Sequence, residues 1–217
     1  MTDSIPKKPV KLVCFDLDDT LISQNSWYAL STALGVSEEM DKKWLAEYES
    51  GNITYEKWNE ILLEQYMRHP DATRAGITKA LTQITYSDGA RESISYLRSH
   101  GFELVLISGS IDIVVSHVAH DLGISLSKAN NTFIFDDNDR VSIHTQGNDT
   151  IAKAVYLESF CDMLGIGLDE CACIGDGAND IELFRRTGRG ITFRGSKIEA
   201  QSWKVIDSLK DIPMIFP

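Results

Sequence analysis

The sequence is short of positive charge. Its 217 residues carry 21 Lys and Arg against 32 Asp and Glu, a formal net charge of −11. No basic stripe interrupts that balance, so nucleic acid is not an expected partner. No apolar run approaches the length of a bilayer span. Residues 1–9 lack the apolar core of a signal peptide, and the expectation is a cytoplasmic protein away from membranes. Cysteine is sparse. Cys14, Cys171 and Cys173 fall in predicted core strands and Cys161 in a predicted helix. They read as small buried hydrophobes, neither a disulfide framework nor a metal site. The five histidines fall near turns or on one helix face, and none sits in a Ser-His-Asp arrangement. Internal repeats and low-complexity tracts are absent.

What is present is a chain that is 43% hydrophobic, enough for a real core, as one domain or a domain with an insertion. Short apolar runs alternate with helical patterns. Residues 10–16 read as the first strand and 102–107 as the second, after a helix near 89–99 capped by Asp88 and ended by Gly101. A helix over about 111–122 stops at Gly123. Residues 132–135 form a third strand, returning through a turn at Asp136 to Arg140 along Val141 to His144. A helix over about 149–164, capped by Asn148 or Asp149, stops at Gly165. The strand 171–175 leads to a helix over about 178–187. A strand at 190–193, a short helix from Ser196 and an edge strand within Trp203 to Ile206 complete the pattern. Alternating strand and helix imply an α/β doubly wound parallel sheet.

Residues 22–86 break this rhythm. They lack a convincing buried strand, are rich in helix formers, and are punctuated by Gly35, Gly51 and His69-Pro70. They read as several helices inserted between the first strand and the next. Three of the four tryptophans, Trp27, Trp44 and Trp58, lie there with Tyr28, Tyr48, Tyr55 and Tyr66. Such a group packs a helical bundle or lines an apolar pocket.

Carboxylates stand at the ends of two of the short apolar runs. Val10 to Phe15 leads into Asp16-Leu17-Asp18-Asp19-Thr20, and Cys171 to Gly175 leads into Asp176-Gly177-Ala178-Asn179-Asp180. Open α/β sheets bind ligands at the carboxyl ends of their strands. If the two strands are neighbours, the carboxylates converge and need a cation, and hard oxygen ligands favour Mg²⁺. Between them, Ile107 runs into Ser108-Gly109-Ser110, a hydroxyl and backbone N–H groups at a helix start suited to a transferring phosphoryl group. Lys153 sits on the helix before the second carboxylate run.

Asp16-x-Asp18-x-Thr20, then Ser108, Lys153 and Gly175-Asp176-Gly177-Ala178-Asn179-Asp180, in that order, resemble the four motifs of the haloacid dehalogenase-type phosphohydrolase superfamily, and most closely its phosphoserine-phosphatase-like branch. The resemblance covers almost the whole chain. It implies a Rossmann-like core from residues 1–21 and 87–217, and a helical cap from 22–86. It implies a Mg²⁺-dependent phosphomonoesterase working through an aspartyl-phosphate on Asp16. Asp18 would be general acid and then base, with its backbone carbonyl toward the metal. Asp16 and Asp176 would be metal carboxylates, and Asp180 would hold metal waters or fix Lys153. Thr20, Ser108, Gly109, Lys153 and Asn179 would serve the phosphate or substrate. The expected partner is a small phosphate ester, met by a monomer or homodimer.

The resemblance has one gap. Phosphoserine phosphatases carry a Glu nine residues after the nucleophile for the substrate ammonium; Asn25 stands there. They also carry a cap Arg for the carboxylate. Around Tyr55-Glu56-Lys57-Trp58 there is none before Arg68. Lys57 or Arg68 could substitute for the Arg, and Glu56 for the Glu. Phosphoserine is therefore not expected to be the best substrate. The rivals are a phosphotransferase or mutase on the same core, and a receiver-like protein that only carries a phosphorylated Asp16. Dehalogenation does not need the second aspartate of the first motif.

Overall fold

A computed structural model describes residues 8–217. Seven strands form one sheet: β1 (Leu12–Phe15), β2 (Glu103–Ile111), β3 (Leu126–Phe135), β4 (Val141–Thr145), β5 (Cys171–Ile174), β6 (Gly190–Phe193) and β7 (Lys204–Ile206). Their order is β4-β3-β2-β1-β5-β6-β7. All pairs are parallel except β3–β4, a hairpin at one edge. The chain leaves β1 toward β2 on one side and later returns to β5 on the other. The topological switch therefore opens a crevice at the carboxyl end of β1, where ligands bind in such sheets.

The alternation along β1 explains the layering. Val13 and Phe15 join one hydrophobic cluster, with α5 (Ala90–Ser99) and α6 (Asp112–Leu122). Leu12 and Cys14 join the other, with α7 (Asp149–Leu164) and α8 (Ile181–Thr187). A strand buried on both faces needs apolar side chains at every position, and β1 has them. All four cysteines are buried and free within these layers.

Four helices are inserted between β1 and α5: α1 (Ser26–Ala33), α2 (Glu38–Glu49), α3 (Tyr55–Tyr66) and α4 (Arg74–Thr82). Each has a side-chain cap, from Asn25, Ser37, Thr54 and Thr73 in turn, which satisfies a first-turn N–H. The connecting segments run side by side: Ser23 N–H donates to Thr85 O at 2.9 Å and Ser87 N–H to Leu21 O at 3.0 Å.

Three local expectations are corrected. Asp88 does not cap α5; the cap position is Gly89, in a left-handed conformation (φ 83°) with no side-chain cap bond, and Asp88 pairs with Lys210. Gly89 fits because it has no Cβ to strain that conformation. The second strand does not end at 107. It runs to Ile111, because β3 begins at Leu126 and continues the pairing through an irregular register between Ser108 and Ile111. The helix expected from 178 opens as a 3₁₀ turn, Ala178–Asp180, and becomes α-helical at Ile181.

Candidate active site

The sheet brings the two acidic runs together. Phe15 pairs with Leu106 on β2 and with Ile174 on β5, and Asp16 N–H donates to Ile174 O at 2.9 Å. Asp16 and Asp176 therefore leave β1 and β5 at nearly the same height as Ser108 on β2. Asp19 takes φ 52°, a left-handed conformation that Asp tolerates better than most residues. The chain turns there, and the N–H groups of Thr20, Leu21 and Ile22 all donate to Leu17 O, at 3.2, 2.9 and 3.0 Å.

Oxygens of Asp16, Asp176 and Asp180 lie within 4.8 Å of one another. Lys153, on α7, is 0% exposed and places Nζ 2.8 Å from Asp16 and 2.7 Å from Asp180. Burial alone would push its ammonium down, but Asp16 and Asp180 outweigh it and hold the pKa above the ordinary value. One lysine balances only part of this charge. A cluster of carboxylate oxygens on a buried floor has the donor chemistry of a hard divalent cation, so the residues fit Mg²⁺. Asp180 Oδ2 also accepts from Gly177 N–H at 3.2 Å. A Cβ on Gly175 would collide with the Asp180 carboxyl, so this close approach requires glycine.

Asp18 is held apart from that cluster. Its Oδ1 accepts from Ser26 N–H at 3.1 Å and its Oδ2 from Ser26 Oγ at 2.8 Å. Burial, then the charge of Asp16, raises its pKa to about 7 against the pull of the Ser26 donors. Burial, then Asp16 and Asp19, raises Asp176 to about 6. Burial pushes Asp180 upward as well, while Lys153 pulls it back.

The residues expected for the phosphate divide. Ser108, Gly109 and Asn179 line a cavity of about 500 Å³ above the aspartates. Thr20 does not reach it; it is fully buried and donates to Asp176 Oδ1 at 3.4 Å. Lys153 lies beneath the cavity and contacts Asp16 directly. Gly109 and Ser110 are not at a helix start: α6 begins at Asp112, and Ser110 N–H donates to Ser108 Oγ at 3.1 Å. The phosphate-side loop is the irregular end of β2.

Several groups here were not singled out from sequence. Ser26 hydrogen-bonds Ser110 as well as Asp18, tying α1 to β2. Asp149, at the start of α7, lines the cavity, accepts from Asn130, and is raised to about 6 by burial. Asn131 Nδ2 donates to Gly109 O at 2.7 Å and its Oδ1 accepts from Thr145 Oγ1 at 2.7 Å. Asn59 of α3 donates to Thr145 Oγ1 at 3.4 Å, so a polar chain runs from the inserted helices to the β2 loop. An Asn-Asn pair, Asn130-Asn131, buried in the middle of β3, was the available signal.

Asn25 lines the cavity, but its Oδ1 caps α1 by accepting from Tyr28 N–H at 3.0 Å. Lys57 pairs with Glu60 at 2.9 Å, and Arg68 donates to Gln65 at 3.1 Å. Neither lines the cavity. The side chains of Tyr55 and Glu56 lie outside the described residues. Trp27, Tyr28, Tyr48 and Trp58 line the cavity. Tyr66 is instead a core residue bonded to Ser31 Oγ at 2.8 Å, and Trp44 packs against the hydrophobic cluster.

The family model of haloacid dehalogenase-like hydrolases matches residues 13–185. A phosphoserine phosphatase of Methanocaldococcus jannaschii is 29% identical over 95% of this chain and 96% of its own length. A probable phosphoserine phosphatase of Schizosaccharomyces pombe is 30% identical over 85% of this chain, which spans 61% of that longer protein. A solved structure of a phospho-aspartyl intermediate analogue of phosphoserine phosphatase superposes with a TM-score of 0.79 at 28% identity, covering 96% of this chain and 99% of the other. No helix among the described residues is long and apolar enough to cross a membrane. The chain belongs to the haloacid dehalogenase-like hydrolases, in their phosphoserine-phosphatase-like branch.

Proposed function

We propose that the chain is a Mg²⁺-dependent phosphomonoesterase for a small phosphorylated metabolite, with Asp16 as nucleophile and Asp18 as general acid and base. The observation that carries this reading is the division of labour between the two carboxyls. Asp16 lies on the charged floor beside Lys153. Asp18 is turned away from that floor onto Ser26 N–H and Oγ, where a carboxyl free of the charged cluster can give and take a proton.

Asp16 attacks phosphorus and the bond from phosphorus to the ester oxygen breaks. Asp18 gives its proton to that departing oxygen. Asp18, now a carboxylate, takes a proton from water as the water oxygen attacks phosphorus. The bond to Asp16 breaks and inorganic phosphate leaves. Splitting one difficult displacement into two is the gain of the covalent route. Asp16, Asp176 and the Asp18 backbone carbonyl would hold Mg²⁺, which offsets the negative charge of the phosphoryl group when bound. Asp180 orients Lys153, and Thr20 orients Asp176. Ser108, Gly109, Lys153 and Asn179 serve the phosphoryl oxygens. Helices α1–α4, as a cap over the core, exclude water and select the leaving group.

The test is phosphate release from p-nitrophenyl phosphate with Mg²⁺, after chelation, and by Asp16→Asn. Turnover lost on chelation, restored by Mg²⁺ and abolished in the variant supports the reading. Full turnover in verified metal-free enzyme, or in the variant, overturns it.

A further inference from the structure

The cavity is lined by two chemically different groups of residues. The sheet core supplies the aspartate floor with Ser108 and Gly109. The inserted helices supply an aromatic end, with Trp27 and Tyr28 of α1, Asp41 and Tyr48 of α2, and Trp58 of α3. Tyr48 and Trp58 stack with ring centroids 5.3 Å apart and planes at 23°. Asp41 adds a carboxylate to this aromatic wall, and among the described residues no Lys or Arg forms an ion pair with it. Lys42 pairs with Glu38 and Lys57 with Glu60, and Lys43 is exposed and does not line the cavity. Among the described residues, every charged one lining the cavity is an aspartate, and no Lys, Arg or His lines it.

We propose that the aromatic end receives a cation, so that the substrate is the phosphate monoester of an amino alcohol bearing an ammonium or quaternary ammonium group and no carboxylate. This deepens the phosphatase reading above and rests on it. Aromatic faces attract such cations through the negative face of the ring quadrupole. Asp41 supplies the full counter-charge. Partial burial already disfavours its carboxylate and pushes its pKa upward, a cost that a bound cation offsets. A substrate carboxylate, by contrast, would enter a cavity lined by acids with no basic partner, and leaving a desolvated charge unpaired is expensive. The same wall accepts the alkyl part of the leaving group. The cavity's about 500 Å³ lies within the roughly 300–1,000 Å³ of small-molecule sites.

The experiment uses the intact enzyme with saturating Mg²⁺ and five esters: phosphocholine, phosphoethanolamine, 3,3-dimethylbutyl phosphate, phosphoserine and p-nitrophenyl phosphate. The dimethylbutyl ester has the shape of phosphocholine without its charge. The better of the two cationic esters should exceed both it and phosphoserine by at least tenfold in kcat/KM, about 1.4 kcal/mol of differential transition-state binding. Asp41→Asn and, as a second variant, Trp58→Leu should each cut the ratio of cationic to neutral ester at least threefold. Ester hydrolysis with a smaller wild-type preference, or a ratio that neither variant reduces by that factor, overturns the cation site and leaves the phosphatase reading standing. Turnover of none of the five, p-nitrophenyl phosphate included, overturns both.

Discussion

Lys153 offers the sharpest test of how the charged floor is built. It is wholly buried between Asp16 and Asp180, 2.8 and 2.7 Å from their oxygens. Lys153→Met keeps an unbranched chain of similar length and removes the charge. Two buried carboxyls are then left without their cation. Breaking a buried pair from one side costs about 3–5 kcal/mol. For a chain of this size each kcal/mol moves Tm by about 2–4 °C, so metal-free Lys153→Met should melt roughly 6–20 °C below wild type. Adding Asp180→Asn removes one of the stranded charges. The double variant should recover part of that loss in Tm and none of the loss in kcat/KM, because Lys153 would still be missing from the phosphoryl group. Thermal melts in chelator and initial rates with Mg²⁺ supply both readouts. A single variant melting within 2 °C of wild type, an interval chosen as roughly 1 kcal/mol or less, refutes the view that Lys153 neutralises the floor. A double variant no more stable than the single one refutes Asp180 as its main partner.

Further outcomes follow from the same geometry. Asp18 and Asp176 sit at about 7 and 6 in the fold, above the ordinary 3.8, so the folded metal-free chain binds protons that the unfolded chain gives up. Their contribution to its stability is fully present below about pH 4 and is lost as pH rises through about 6 and 7. Tm in chelator should fall across that window, and Mg²⁺ should raise Tm more at pH 8 than at pH 5; a flat profile contradicts the crowded floor. Gly175→Ala drives a Cβ into the Asp180 carboxyl. It should cost about 1–3 kcal/mol in a chemical melt and lower kcat/KM by displacing Asp180 from Lys153; wild-type values of both would contradict the close approach. Ser26→Ala removes a donor from Asp18 Oδ2 and should move the alkaline limb of the kcat/KM–pH profile to higher pH, since Asp18 must be protonated to act as the acid and a carboxylate that loses a hydrogen bond becomes easier to protonate. An unmoved limb would detach Ser26 from Asp18.

Much of the site was legible because its parts are local. A run such as Leu12–Phe15 reads as a buried strand, and the polar residues that follow it then emerge at the carboxyl end of the sheet. Gly123 and Gly165 end α6 and α7 in left-handed conformations that few other residues adopt without strain. What was not legible depends on long-range placement. Ser26 reads as one more polar residue at a helix start, and only the return of the chain at Asp19 sets it against Asp18. The bulged end of β2 around Ser108–Ser110 is imposed by its partner β3, so no local signal separated it from a helix start. Asp149 reads as a helix-capping acid, and only the packing of α7 beneath β2 brings it to the cavity. Trp27, Tyr28, Tyr48 and Trp58 were visible as an aromatic group, but their division from the core residue Tyr66 and from Trp44, which does not line the cavity, was set by how α1–α3 face one another.

The central claim is a covalent bond between Asp16 and phosphorus, and one measurement addresses it directly. Asp18→Asn enzyme, mixed with Mg²⁺ and p-nitrophenyl phosphate, should form the phospho-enzyme but lose the base that activates water for its breakdown. Rapid acid quench followed by peptide mass mapping should find one phosphoryl group, on Asp16, and none when Asp16→Asn is added. A phosphoryl group on another residue, or turnover with no phosphorylated peptide at any quench time, would contradict the account.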